Sequence, residues 1–457
     1  MPETKPRSAL SPAVTLSPIR AAFPQAGGTM EVLVRIQAPA QPTDTIEPAA
    51  KARPSLRLAL VVDRSGSMDG APLAEALRCV NHIVRRLQPT DQVAVVLYDE
   101  KVQYPVPLRA ATNAAEVRAA LAGVESGGST NLYAGWEAGA RQLESGTTDS
   151  ISRVILLSDG QANQGLTEQG PIEQHCARWL ALGVSTTTVG LGRGFNEDLM
   201  VGMARAGGGQ QYYGQTAEDL FDGFDEELSL LQALCLRKLR VKLIPGAGVI
   251  AEPLGLVRHN PDGTNSLSDL AWGAEAWLLV RLHVTGMVSN EATVPVAGMA
   301  QRALLSVALQ AERLDGSPVA IASPVLALPG LDAKALEAMP KDELVAQRLL
   351  EVQFGETGAQ VRDLLAAGDL KGAQKLLDRM EAGAIGHPWL QEKVKHLRAL
   401  TIRDMAMARK ELHYSRVKMS SRLSSGEVVM RYADETEAVD MPAYFRMKSS
   451  EGTGRKN

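Results

Sequence analysis

Asp63, Ser65 and Ser67 stand at alternate positions directly after the apolar run Leu56-Arg57-Leu58-Ala59-Leu60-Val61-Val62. One carboxylate and two hydroxyls at that spacing offer three oxygens from a single turn, and Gly66 lets the backbone make it tightly. Oxygen donors suit hard cations. Mg²⁺ in particular accepts one or two carboxylates and keeps sites for water or an incoming ligand, whereas zinc prefers nitrogen and sulfur. On its own this turn is also what a helix N-terminus needs, because serine and aspartate cap helices. Two further segments shift the balance. Gly127-Gly128-Ser129-Thr130-Asn131 sets a threonine hydroxyl ahead of a helical pattern, and Leu156-Leu157-Ser158-Asp159-Gly160 ends a second apolar run on a carboxylate. If those runs are strands of one sheet, three loops deliver oxygens to the same edge.

Such a sheet is legible between about Leu56 and Leu231, where short β-rich apolar runs alternate with longer segments of helical period, the pattern of a mostly parallel α/β sheet. After the first run, Leu73, Leu77, Val80, Val84 and Leu87 form one helical stripe, with Pro72 in the tolerated first turn. Gln92–Tyr98 and Val102–Leu108 are separated by only Asp99-Glu100-Lys101, too few residues for a crossover helix, so one strand is expected to be antiparallel. Val154–Leu157, Val184–Val189 and Gln210–Tyr213 supply further strands. Helices read as Leu132–Leu143, Ile172–Leu182 and Asn196–Ala206, the last two stopped by Gly183 and Gly207. In open α/β sheets ligands bind beyond the carboxyl ends of the strands, where the oxygen-bearing loops fall.

Outside this block the period changes. Met30, Val32, Val34 and Ile36 alternate with polar residues, and the alternation returns in Leu239-Val241-Leu243, Val280-Leu282-Val284 and Leu305-Val307-Leu309. The N-terminal part has too few strands to bury a face alone, so residues 13–50 and 236–328 are expected to form one discontinuous β-sandwich around an α/β domain at 54–232. Residues 332–419 turn helical. Gly368-Asp369 reads as a stop followed by an N-cap, and one long helix is expected from Pro388 to about Lys418. Residues 1–12 and 420–457 read as flexible, with a docking segment at Ala443-Tyr444-Phe445 as the alternative for the tail.

A net charge of −4 supplies no basic field for nucleic acid, and no window offers the ~20 apolar residues of a membrane span. The start of the chain lacks the apolar stretch of a secretion signal, and Cys79, Cys176 and Cys235 stand apart in odd number, as buried thiols of a reducing cytoplasm would. Gly190-Leu191-Gly192-Arg193-Gly194-Phe195 lacks the register of a dinucleotide loop, and the dispersed histidines form no catalytic pattern. A haloacid dehalogenase phosphatase also places an aspartate after a buried strand, but it needs a second aspartate where Ser65 stands, so the expectation is a protein that is not an enzyme. A scaffold whose ion merely stabilises the loops is the other alternative.

Val62-Asp63-Arg64-Ser65-Gly66-Ser67-Met68, Gly-Gly-Ser-Thr-Asn and Leu-Ser-Asp-Gly, in that order and spacing, resemble the von Willebrand factor A family over roughly Pro54 to Leu231. The resemblance implies strand order 3-2-1-4-5-6 and a metal-ion-dependent adhesion site. Ser65 and Ser67 would bind the ion directly, Thr130 directly or through water, and Asp63 and Asp159 mainly through water. Mg²⁺ is the expected ion, with Mn²⁺ or Ca²⁺ as alternatives. Its unfilled position would take an Asp or Glu from a partner protein, with Arg64, Met68 and Asn131 at the rim. The whole arrangement resembles bacterial intracellular von Willebrand factor A proteins, which often serve as adaptors and some of which work beside MoxR-type AAA+ ATPases.

Overall fold

The run from Leu56 to Val62 is buried at every position because it lies mid-sheet, with strands on both sides and helices on both faces. The computed structural model describes residues 11–40, 53–144, 146, 150–159, 162–191, 195–214, 216–286, 294–296, 299–319, 321 and 324–420. They divide into two units, 53–234 and 11–40 with 235–420.

In the first unit, strands β1 (Ser55–Asp63), β2 (Gln92–Tyr98), β3 (Val102–Ala110), β4 (Ser150–Ser158), β5 (Val184–Leu191) and β6 (Gly208–Gly214) form one sheet in the order β3-β2-β1-β4-β5-β6. Every pairing is parallel except β2 with β3, the tight hairpin of the sequence. The covering helices are α1 (Ala71–Arg86), α2 (Ala114–Ala120), α3 (Leu132–Gln142), α4 (Gln169–Ala181), α5 (Glu197–Ala206) and α6 (Glu218–Gln232). The short α2, whose alanine-rich sequence carries little periodic signal, starts where Asn113 accepts hydrogen bonds from the Ala115 and Glu116 amides. Polar groups of β5 are buried but satisfied. Thr186 accepts the Trp136 indole N–H at 3.0 Å, Thr188 donates to the Met200 carbonyl, and Thr187 donates to Glu227, which also pairs with Arg153.

The second unit contains a four-stranded antiparallel sheet in the order Ala13–Pro18, Gly27–Gln37, Glu275–Thr285, Val249–Pro253. Gly27–Gln37 pairs with Glu275–Thr285 along its full length, so chain from before and after the α/β unit shares one sheet. A second sheet is built around the long strands Leu234–Pro245 and Met299–Arg313.

Helices α7 (Ala333–Ala338), α8 (Glu343–Ala366), α9 (Leu370–Gly383), α10 (Pro388–Arg403) and α11 (Met405–Ser420) follow. The stop and cap between α8 and α9 fall as expected: Gly368 has φ +77° and the Asp369 carboxylate accepts the Gly372 amide at 2.9 Å. The single helix expected from Pro388 to Lys418 is instead two. Asp404 takes an extended conformation (φ −156°, ψ 92°) while its carbonyl accepts the Ala408 amide and starts α11. The apolar series Leu390, Val394, Leu397, Ala408, Leu412 contributes to one buried cluster on both sides of the break, so periodicity alone does not expose it. Of the segment 420–457, everything beyond Ser420, including Ala443-Tyr444-Phe445, lies outside the described residues, as do residues 1–10. Among the described residues no helix is long and apolar enough to cross a membrane. Cys79, Cys176 and Cys235 are buried free thiols, and burial pushes Cys235 up to about 12.

Candidate functional site

Three adjacent strands meet on one carboxylate. Asp63, the last residue of β1, is fully buried, and its Oδ1 accepts the Ser65 amide at 2.8 Å. Its Oδ2 accepts the hydroxyls of Ser158, the last residue of β4, at 2.7 Å and of Tyr98, the last of β2, at 3.2 Å. Tyr98 is the register partner of Asp63, which is why its phenol arrives there. The ring is seated by Gly135 of α3, where a Cβ would meet Tyr98 Cγ at 2.3 Å.

The remaining oxygens follow from the same edge. Ser65 Oγ lies 3.2 Å from Ser67 Oγ, and Ser67 Oγ donates to Asp159 Oδ1 at 3.0 Å. The loop after β1 is tied to the one before α3 by Gly66 N–H to the Gly128 carbonyl at 3.1 Å and Gly127 N–H to the Arg64 carbonyl at 2.8 Å. Gly128 has φ +74°, and a Cβ there would sit 3.2 Å from the Asp99 side chain. Thr130 is 3% exposed; its amide donates to Asn163 Oδ1 and its carbonyl accepts the Asn163 amide. Its hydroxyl has no hydrogen-bond partner among the described residues. The structure therefore brings Asp63, Ser65, Ser67 and Asp159 into one hydrogen-bonded constellation, with Thr130 on the loop joined to it.

Burial raises the Asp63 carboxyl despite its hydrogen bonds, and Asp159 is pushed up to about 6 by burial, with the Asp63 charge adding to the effect against the Ser67 hydrogen bond. Two buried carboxyls thus face each other across serine hydroxyls, a situation that a cation relieves. The nearby guanidinium of Arg64 is committed to Asp99 at 2.6 Å. Among the described residues no group of three or more His, Cys, Asp or Glu side chains could hold a metal, so any ion here would rely on hydroxyls. Two carboxylates and three hydroxyls fit a hard divalent cation, not zinc.

The expected rim needs correction. Met68 is fully buried as the end of a short 3₁₀ turn, Gly66–Met68, because its apolar side chain joins the core. Arg64 is held by Asp99 and the Glu125 carbonyl, and Asn131 caps α3 by accepting the Ala134 amide. Exposed side chains of these loops instead include Ser67, Asp69, Glu125 and Ser129. Sequence reasoning passed over Tyr98, Ser158 and Asn163. For Ser158 the polar residue ending an apolar run was the available signal; the place of the Tyr98 phenol depends on the register of β2 against β1, and Asn163 offers no signal.

Comparison with known proteins agrees with this architecture. Residues 58–226 match the von Willebrand factor type A domain model. An uncharacterized Synechocystis protein, sll0103, is 26% identical over 351 residues, which cover 70% of this chain and 77% of that protein. Escherichia coli YfbK, also uncharacterized, is 30% identical over 251 residues, 52% of this chain and 43% of YfbK, so the match spans less than half of that relative. Among solved structures, a von Willebrand factor type A protein from Catenulispora acidiphila superposes with a TM-score of 0.66 at 17% identity, covering 91% of this chain and 98% of that one. The ArnB paralog VWA2 from Sulfolobus acidocaldarius gives 0.59 at 16% identity, covering 90% and 99%. At such identities the structures speak for the fold alone. The six-stranded sheet with its one antiparallel edge strand, together with the family match, shows that this chain carries a von Willebrand factor type A domain.

Proposed function

We propose that the loops ending β1 and β4 and preceding α3 hold one divalent cation, Mg²⁺ before Mn²⁺ or Ca²⁺, and that the protein uses it to bind an Asp or Glu of a partner protein as an intracellular adaptor. Ser65, Ser67 and Thr130 would hold the ion through hydroxyls, with Asp63 and Asp159 acting mainly through water. With few direct carboxylates the ion keeps strong Lewis acidity and room for an incoming carboxylate. The single observation that carries this reading is the convergence of Ser65, Ser67 and Asp159 within 3.0–3.2 Å beside a second, fully buried carboxylate.

The Ser67 and Ser158 hydroxyls donate to carboxylates that the proposed ion would engage, and no histidine stands with them among the hydrogen-bonded groups described above, so the reading is capture without bond breaking. Three buried unpaired thiols support the cytoplasmic setting. The family resemblance extends the partner class to MoxR-type AAA+ ATPases, and no residue described above selects among partners. The test has two arms. Mn²⁺ titration followed by electron paramagnetic resonance should give a bound signal for wild type that is lost in Ser67→Ala. Capture from native extract with wild type and Asp63→Ala, each in Mg²⁺ and in EDTA, should give prey specific to wild type with Mg²⁺. Identical prey in all four conditions would overturn the reading.

A further inference from the structure

A cavity of about 360 Å³ lies in the unit formed by 11–40 and 235–420, between the segment leading into the Gly27–Gln37 strand, helix α8, and the turn from α9 to α10. That volume is in the range of small-molecule sites. Its walls are fixed before any ligand arrives. The Asp342 amide donates to the Ile19 carbonyl at 2.9 Å and Arg20 Nε to the Met339 carbonyl at 3.3 Å, tying the α7–α8 link to the chain ahead of the strand. The Asp342 carboxylate then caps α8 by accepting the Val345 amide at 2.9 Å.

The lining is apolar below and cationic around. Ile19, Ala22 and Met30 are buried, and Leu349 and Leu350 add half-buried side chains. Arg20, Lys341 and His387 also line the cavity. The one acidic lining residue, Glu31, is engaged by Arg281 at 3.0 Å, and the adjacent Asp342 is engaged at the start of α8. Neither Lys341 nor His387 has a side-chain hydrogen-bond or ionic partner among the described residues. Two positive side chains, Arg20 and Lys341, and the His387 imidazole, none paired to a carboxylate among the described residues, thus surround an apolar floor.

We infer that this cavity binds a small organic anion, a carboxylate or phosphate head carrying a short apolar body, with Lys341, His387 and Arg20 on the head and Met30, Leu349 and Leu350 against the body. Charge-assisted hydrogen bonds orient the head, and area removed from water supplies the rest. The site is independent of the proposed ion.

Isothermal titration calorimetry on the full chain in EDTA, with octanoate and octyl phosphate as probes and acetate and octanol as controls, tests it. At least one anionic amphiphile should bind about tenfold or more tighter than either control, and the tighter head identifies the source of the anion. Lys341 is exposed, so Lys341→Ala should leave the melting temperature unchanged while weakening that probe roughly fivefold or more. Absence of binding by both anions up to about 10 mM, equal affinity for octanol, or unchanged affinity in Lys341→Ala would each overturn the inference.

Discussion

Replacing Asp63 by asparagine or by alanine separates the charge of this residue from its hydrogen bonds. Three donors converge on the carboxylate: the Ser65 amide, the Ser158 hydroxyl and the Tyr98 phenol. The two hydroxyls are within reach of each other, so alanine strands the amide and about one hydroxyl at a site without solvent. At ~1–3 kcal/mol per stranded group, less the relief of removing a buried charge, Asp63→Ala should cost about 2–4 kcal/mol. For a domain of this size that is a fall of roughly 5–15 °C in Tm. Asparagine keeps an acceptor for the Ser65 amide, and a hydroxyl can rotate to accept from its new NH₂, so in EDTA Asp63→Asn should melt within about 3 °C of wild type or above it. Addition of Mg²⁺ at 100 times its Kd stabilises a binding-competent fold by about 2.7 kcal/mol. Wild type should therefore rise by roughly 5–10 °C in Mg²⁺ over EDTA, and Asp63→Asn should not. Differential scanning calorimetry of the three proteins in both buffers decides it. An asparagine variant as unstable as alanine in EDTA, or one gaining as much from Mg²⁺ as wild type, would refute the reasoning.

The same site makes a pH prediction. Because folding raises the Asp159 carboxyl to about 6 and raises Asp63 as well, the metal-free protein loses stability as pH climbs from the ordinary carboxylate range, about 4, through about 6. The Tm difference between Mg²⁺ and EDTA should consequently be wider at pH 7.5 than at pH 5, and an offset independent of pH would count against it. Thr130→Ala should impair Mg²⁺-dependent partner capture while moving Tm by only a few degrees, measured on one preparation; a purely structural ion predicts the reverse. Gly135→Ala forces the Tyr98 ring aside and should cost about 1–3 kcal/mol in urea unfolding while shrinking the Mg²⁺ offset. Glu227→Ala leaves Arg153, 6% exposed, without its carboxylate partner at 2.5 Å and should cost about 3–5 kcal/mol, so a loss below ~1 kcal/mol in the same assay would contradict the role given to that pair.

Strands whose two faces are covered announce themselves as unbroken apolar runs, so β1 and β4 could be read directly. So could the hairpin, because three residues between β2 and β3 leave no room for a crossover. The oxygens of Asp63, Ser65, Ser67 and Asp159 were legible for a related reason: each sits one or a few residues beyond a run that had to end at the sheet edge. What the sequence hides is lateral. Which residue of β2 stands beside Asp63 depends on register, and register is set by packing across the sheet, so the Tyr98 phenol could not be assigned. Met68 could not be separated from its exposed neighbours, because a 3₁₀ turn of three residues has no period to read. The break at Asp404 leaves the apolar spacing intact and changes only the backbone of one residue.

The strand Gly27–Gln37 hydrogen-bonds to Glu275–Thr285, residues made some 248 positions later. At about 5–20 residues per second, a ribosome would need roughly 12–50 s to supply that partner. The α/β domain has by then emerged whole and can fold on local contacts. Val32, Leu33, Val34 and Ile36, fully buried at the end, must wait with only the Ala13–Pro18 strand beside them. Biosynthesis thus finishes the α/β half of the protein first and leaves an unpaired, apolar strand edge at its N-terminal side, the kind of edge that chaperones shield during translation.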